Sequence, residues 1–134
     1  MDLDEQIRRF LDGEPFAVVG ASTDPEKYGN KVLRCYQQNQ HRVIPINPRA
    51  AEVEGLPAFP DLASIGEPLH GVSIITPPAI TEQVVEQAIE LGIGQLWMQP
   101  GAESAAAVER AEAAGLNVIH GGPCLLVVLG YHED

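Results

Sequence analysis

The chain has 134 residues, a formal net charge of −11 and an apolar fraction of 45%. That is the make-up of one globular domain spanning residues 1–134, able to bury roughly two-thirds of its unfolded surface. The charge repels polyanions and excludes a nucleic-acid surface, and no apolar run approaches the ~20 residues of a membrane span. The acidic opening Met1-Asp2-Leu3-Asp4-Glu5 lacks the apolar core of a secretory signal. Cys35 and Cys124 have neither CxxC nor metal-like spacing, so both are expected as free thiols in a reducing cytoplasm. His41, His70 and His132 do not form a metal-ligand pattern either.

Leu3, Ile7, Phe10 and Leu11 recur at helical spacing behind Asp2 and Asp4, and Gly13 ends that helix. Phe16–Val19 reads as a strand, residues 28–39 as a helix with Val32, Leu33 and Tyr36 inward, and Val43–Ile46 as a second strand. Pro45 removes a backbone donor, which either weakens that strand or marks a place where the N–H is not needed. Residues 50–70 carry three prolines and read as a connection, with a short strand near Pro57–Phe59 and a helical turn near Leu62–Ile65. A regular alternation follows. Val72–Ile75 is a strand, and Pro78 opens a helix whose inward face is Ile80, Val84, Ala88 and Leu91, stopped by Gly92. Gln95–Met98 is the next strand, with Trp97 and Met98 in the core. A helix over 103–114, a stop at Gly115 and a strand at Asn117–His120 complete the pattern. Strand–helix alternation with short turns requires right-handed crossovers, so the expected fold is a Rossmann-type, doubly wound parallel sheet with helices on both faces.

Ligands of such sheets bind beyond the carboxyl ends of the strands. Those ends read Gly20-Ala21-Ser22, Asn47-Pro48-Arg49, Thr76-Pro77-Pro78, Gln99-Pro100-Gly101 and Gly121-Gly122-Pro123-Cys124. They are small or polar and offer little acid–base chemistry, so no catalytic residue is expected. Five of the eight cationic side chains, Lys27, Lys31, Arg34, Arg42 and Arg49, fall within 23 residues that contain no acid. A local anion site beside the first strand's glycine loop explains that clustering. Lys31 and Arg34, on the outer side of their helix, are expected to be solvated, whereas Lys27 and Arg49 lie in loops at the ligand edge. A nicotinamide dinucleotide fits poorly. The G-x-G-x-x-G fingerprint is absent after Gly20, and Asn47-Pro48-Arg49 replaces the acid that binds the ribose hydroxyls of NAD. Arginine there suits a phosphorylated ribose, as in NADP or coenzyme A.

Gly20-Ala21-Ser22 with Pro25 and Lys27, then Val43–Pro48, Thr76-Pro77-Pro78, Gln99-Pro100-Gly101 and Cys124, together resemble the small stand-alone CoA-binding proteins. These are similar to the N-terminal domain of the succinyl-CoA synthetase alpha subunit and of ADP-forming acyl-CoA synthetases. The resemblance covers about residues 4–128. It implies that Gly20, Ala21 and Ser22 hold the phosphates of CoA or an acyl-CoA, with Lys27 as counter-charge. By the same resemblance Asn47, Pro48 and Arg49 meet the adenosine and its 3′-phosphate. Thr76, Pro77 and Pro78 flank the pyrophosphate or upper pantetheine, and Gln99 and Gly101 line its path. Thr23-Asp24-Pro25-Glu26 departs from the synthetases, which have further small residues there; the two acids must point outward or cap the next helix. The resemblance includes neither the phosphohistidine domain nor a nucleotide-grasping domain, so complete ligase chemistry is not expected.

Cys124 is the one side chain in this set with nucleophilic chemistry to offer. It precedes the apolar run Leu125–Leu129 at an expected helix N-terminus, where it could meet the CoA thiol or pack inertly. Cys35, mid-helix, is expected to be inert. The leading expectation is a CoA or acyl-CoA binding module; a small NADP-linked oxidoreductase or redox sensor is the alternative. A third is a regulatory partner lending its CoA site to a separate enzyme.

Overall fold

The computed structural model describes residues 1–133. Helix α1 spans Leu3–Leu11, and Asp2 caps it by accepting from the Glu5 N–H at 2.8 Å. Strand β1 (Phe16–Val19) leads into α2 (Tyr28–Gln38), and β2 (Val43–Ile46) follows. The connection holds a two-residue hairpin, β3 (Glu52–Val53) with β4 (Leu56–Pro57), and a 3-10 turn at Ala63–Ile65. Then come β5 (Gly71–Ile74), α3 (Pro78–Glu90), β6 (Gln95–Met98), α4 (Ala105–Ala113), β7 (Asn117–Ile119) and α5 (Leu125–Leu129). The five long strands pair in parallel in the order β2-β1-β5-β6-β7. This is a Rossmann-like sheet, and its strand order reverses direction at β1, between β2 and β5.

Successive strand residues face opposite sides of the sheet, so each strand feeds two cores. Ala17, Val19, Val72, Ile74, Leu96, Met98 and Val118 form one with α3 and α4. Phe16, Val18, Trp97 and Ile119 form the other with α1, α2 and α5. Phe10 stacks on Phe16 at 5.1 Å and meets the edge of Trp97 at 5.3 Å, filling this second core with aromatic area. Ser73 is buried on the same face, and the Tyr36 hydroxyl satisfies it at 2.6 Å.

Several boundaries differ from the sequence expectation, each for a physical reason. α4 starts at Ala105, not 103, because Ser104 caps it and accepts from the Ala107 N–H. The expected strand at Pro57–Phe59 is the hairpin plus a single bridge from Phe59 to Ile46. On α3, Val84 and Ala88 are buried as expected, but Ile80 and Leu91 are exposed and Thr81 and Val85 take their place. Leu3 is likewise exposed, so α1 is held by its last turn through Phe10. Pro45 stays in an intact strand. Its carbonyl accepts from the Phe59 N–H, which shows that its missing donor faces away from β1.

Candidate functional site

The carboxyl edge of the sheet is a row of loops running from β2 to β7. At the β2 end, Asn47 staples two loops: its Nδ2 donates to the Ala21 carbonyl at 3.0 Å, and its Oδ1 accepts from the Arg49 N–H at 2.8 Å. Pro48 and Arg49 are exposed beside it. Gly20, φ 99°, ends β1 in a conformation few other residues adopt, and a Cβ there would lie 2.4 Å from the Ile75 carbonyl oxygen. Gly20, Ala21, Asn47, Arg49 and Thr76 line a cleft of about 410 Å³. Thr76 also borders a second cleft of about 250 Å³, walled by Pro77, Pro100 and Gly101. A groove therefore crosses the ends of β2, β1, β5 and β6, over the point where strand order reverses.

The β1–α2 loop is built inward on itself. The Ser22 Oγ accepts from the Asp24 N–H at 3.0 Å, and Asp24 Oδ1 accepts from the Glu26 N–H at 2.9 Å. Asp24 and Glu26 are exposed, and Asp24's carboxylate serves the turn before α2. No side chain caps α2, whose cap position is Lys27. The helix rests directly on the loop, since a Cβ on Gly29 would lie 1.9 Å from the Gly20 oxygen. Buried Asn30 fixes the pair by donating to the Ser22 carbonyl at 2.8 Å and to Glu54 at 3.0 Å, while accepting from Arg34 at 2.7 Å. Sequence reasoning missed Tyr28, Gly29 and Asn30. A glycine in a helix's first turn was the available signal, because it costs helix propensity and invites a packing reason.

Thr76-Pro77-Pro78 opens α3: Pro77 is the cap, Pro78 the first helical residue, and the Thr76 hydroxyl bonds that of buried Thr81 at 2.8 Å. Gln99 is fully buried, which places it beneath the groove, while Gly101 is exposed on the wall. Gln99 Oε1 accepts from the Tyr28 hydroxyl at 3.1 Å and the Leu125 N–H at 3.0 Å; its Nε2 has no partner among the described residues. Tyr28 lies 2.8 Å from Cys124 Sγ. Burial, with Cys124 beside it, pushes the Tyr28 phenol well up and keeps it a donor. Because Tyr28 donates to Gln99, the Cys124 thiol donates to Tyr28. Cys124 is half-buried at the cap of α5, whereas Cys35 is fully buried and its thiol is pushed up to about 11 by burial. At the far end Glu103 accepts from the Gly101 N–H at 2.9 Å and the Gly121 N–H at 3.3 Å. His120 is exposed, with no hydrogen-bond partner among the described residues.

The charges sort clearly. Arg8 and Arg9 reach Glu5, Lys31 and Arg34 reach Glu133, Arg42 pairs with Glu67 and Arg110 with Glu86. Lys31 and Arg34 are thus not simply solvated, as the sequence suggested; Arg34 also lies over the Tyr131 ring at 5.5 Å. Arg42 belongs to the opposite end of the sheet, where its carbonyl accepts from the Phe16 N–H. Among the described residues, only Lys27 and Arg49 have no carboxylate partner; Arg49 lines the groove, and exposed Lys27 stands at the cap position of α2, after the Gly20 loop. Another cleft, about 350 Å³, opens beside β2 near His41, Arg42 and Glu67. Its polar side chains already have partners: Arg42 pairs with Glu67, and the His41 ring is hydrogen-bonded to Glu14.

An open parallel sheet with a glycine loop and an uncapped helix N-terminus at its switch point is an α/β domain of Rossmann-like build, the kind of edge at which phosphate-bearing ligands are commonly held. The chain belongs to the CoA binding domain family, whose model matches residues 14–130. It is 27% identical to the alpha subunit of acetate–CoA ligase [ADP-forming] II of Pyrococcus furiosus, across 93% of this chain but 29% of that protein. It is 28% identical to YneT of Bacillus subtilis, an uncharacterized protein, across 77% of this chain and 76% of that one. Thus the chain spans under a third of the ligase subunit and about three-quarters of the small relative. Among solved structures, a hypothetical protein from Pyrococcus horikoshii superposes with a TM-score of 0.87 at 28% identity, covering 95% of this chain and 89% of that one. A conserved hypothetical protein from Pyrococcus furiosus gives 0.81 at 34% identity, covering 87% and 99%.

Proposed function

We propose that this chain binds coenzyme A or an acyl-CoA along the carboxyl edge of its sheet and performs no ligase chemistry of its own. The observation that carries this reading is the pair Lys27 and Arg49. In a chain of charge −11, six of the eight cations are tied to acids, and among the described residues these two are not: Arg49 lines the groove, and Lys27 stands at the start of the helix that follows the Gly20 loop. A ligand bearing separated phosphates would neutralise both. The donor set fits CoA: Gly20, Ala21 and Ser22 with the start of α2 present backbone to the pyrophosphate, and Lys27 adds its charge. Arg49 takes the 3′-phosphate, with Asn47 holding the loop and Pro48 giving an apolar face to adenosine. Thr76, Pro77 and Pro78 form the turn past which the upper pantetheine runs. Gly101 continues the wall, and Gln99 anchors the floor on which Tyr28 and Cys124 meet the thiol end. Across five strands at about 4.8 Å spacing, the β2 and β7 ends stand roughly 19 Å apart, a span suited to an extended cofactor. Both cysteines are free thiols, in keeping with a reducing cytoplasm. Among the described residues no helix is long and apolar enough to cross a membrane.

Calorimetry with CoA, dephospho-CoA, NADP and NAD tests the reading. CoA is expected to bind best, and loss of the 3′-phosphate contact to cost about 1.5–3 kcal/mol. Arg49→Ala should remove that difference and leave dephospho-CoA nearly unaffected. Equal affinities for CoA and dephospho-CoA would take Arg49 out of this role, and tighter binding of NADP would favour the oxidoreductase alternative.

A further inference from the structure

We propose that Glu103 makes the thiol end of the groove selective for free CoA and neutral acyl groups, against acyl groups that end in a carboxylate. This rests on the CoA reading above. Gly101 and Gly121 stand at the ends of adjacent strands β6 and β7, and their N–H groups converge on one carboxylate, that of Glu103. Two convergent backbone donors in loops of small residues are what the carboxylate of a dicarboxylic acyl group would seek. The chain's own acid already fills that position.

The surroundings point the same way. The loops that close β5, β6 and β7 (75–77, 99–104 and 120–124) contain no Lys or Arg, and exposed His120 is the one basic side chain among them. The polar side chains beside them already bond one another: Tyr28 donates to Gln99 and lies against Cys124, and only the buried Gln99 Nε2 lacks a partner among the described residues. The bond from the Gly121 N–H places the Glu103 charge at the start of the loop that leads to Cys124. An incoming carboxylate must either displace Glu103 from both N–H groups or stay in its field, partly screened by water.

The test compares CoA, acetyl-CoA and succinyl-CoA on the full chain by calorimetry at moderate salt. Acetyl-CoA should bind within a few-fold of CoA, and succinyl-CoA about tenfold more weakly. Glu103→Gln keeps one acceptor for the glycine N–H groups and removes the charge, so the acetyl-to-succinyl ratio should fall to about two or three. Glu109→Gln, an exposed α4 position, removes one negative charge equally and should leave the ratio as it was. Equal binding of acetyl-CoA and succinyl-CoA by the unaltered chain overturns the proposal with no variant needed. So does an undiminished ratio in Glu103→Gln protein that melts normally. Failure of every CoA species to bind would instead remove the reading beneath it.

Discussion

At the scale of single residues, the two cysteines show how strongly position governs a thiol. Cys35 is sealed in the second core and held protonated by burial. Cys124 is half-buried in the loop after β7, hydrogen-bonded to Tyr28. Incubation with CoA disulfide should therefore label Cys124 and spare Cys35. In that exchange the Cys124 thiolate attacks one sulfur, a Cys124–CoA disulfide forms, and the other CoA leaves as thiolate. Excess CoA should lower the yield by occupying the groove first. Intact mass and peptide mapping decide it: no adduct, or equal labelling of both cysteines, returns Cys124 to a packing role. The exposed loop positions of Lys27 and Arg49 were legible in the sequence because loop position and charge are both local properties. Tyr28, Asn30 and Glu103 were not, because each acts through contacts that only the tertiary fold creates.

At the scale of elements, the seating of α2 on the Gly20 loop is the contact on which the site's geometry depends. Gly29→Ala places a carbon where the Gly20 oxygen stands and forces the helix away from the loop. We expect a loss of about 1–3 kcal/mol, a fall of at least roughly 5 °C in melting temperature, and a disproportionate loss of CoA affinity. Gly94→Ala is the control, since nothing lies within 4 Å of its added carbon. If Gly29→Ala melts and binds like the parent, the close approach does not exist. The regular elements were readable because β–α alternation, Pro78 at a helix start and Gly92 at a helix end are local chemistry. The β3–β4 hairpin was not, because two-residue strands carry no periodicity. Its turn is made by Glu54 at φ 50° and Gly55 at φ 79°, and Glu54 is not a usual residue there.

At the scale of the whole molecule, local attraction and global repulsion compete for an anionic ligand. At about 10 mM salt the screening length is near 30 Å, so CoA senses the net charge of −11 before it senses Lys27 or Arg49. At about 150 mM the length shortens to about 8 Å and the two groove cations dominate the final approach. The association rate should consequently rise several-fold over that range, opposite to ordinary electrostatic steering. Stopped-flow measurements showing a falling rate would mean that the basic edge outweighs the rest of the surface at every distance. Fold class was legible at this scale because every long strand is parallel and buried. The distribution of charge was only half legible: the sequence revealed the basic segment, but not that Glu67 and Glu133 silence most of it.

Both outer rims of the sheet are closed, and a family boundary would cut away the chemistry that closes one of them. On β2 the absent donor of Pro45 faces outward and Phe59 covers the next position. On β7 the Val118 carbonyl is taken by the side chain of Gln6, and Asn117 reaches back to the Gln6 carbonyl. An exposed rim invites another strand. A shortened version spanning only residues 14–130 would lose Gln6, the Phe10 ring over Trp97 and the Glu133 partner of Lys31 and Arg34. It would retain every groove residue while becoming stickier and less acidic around α2. For anyone engineering this scaffold, the minimal recognisable unit and the minimal well-behaved unit are different lengths.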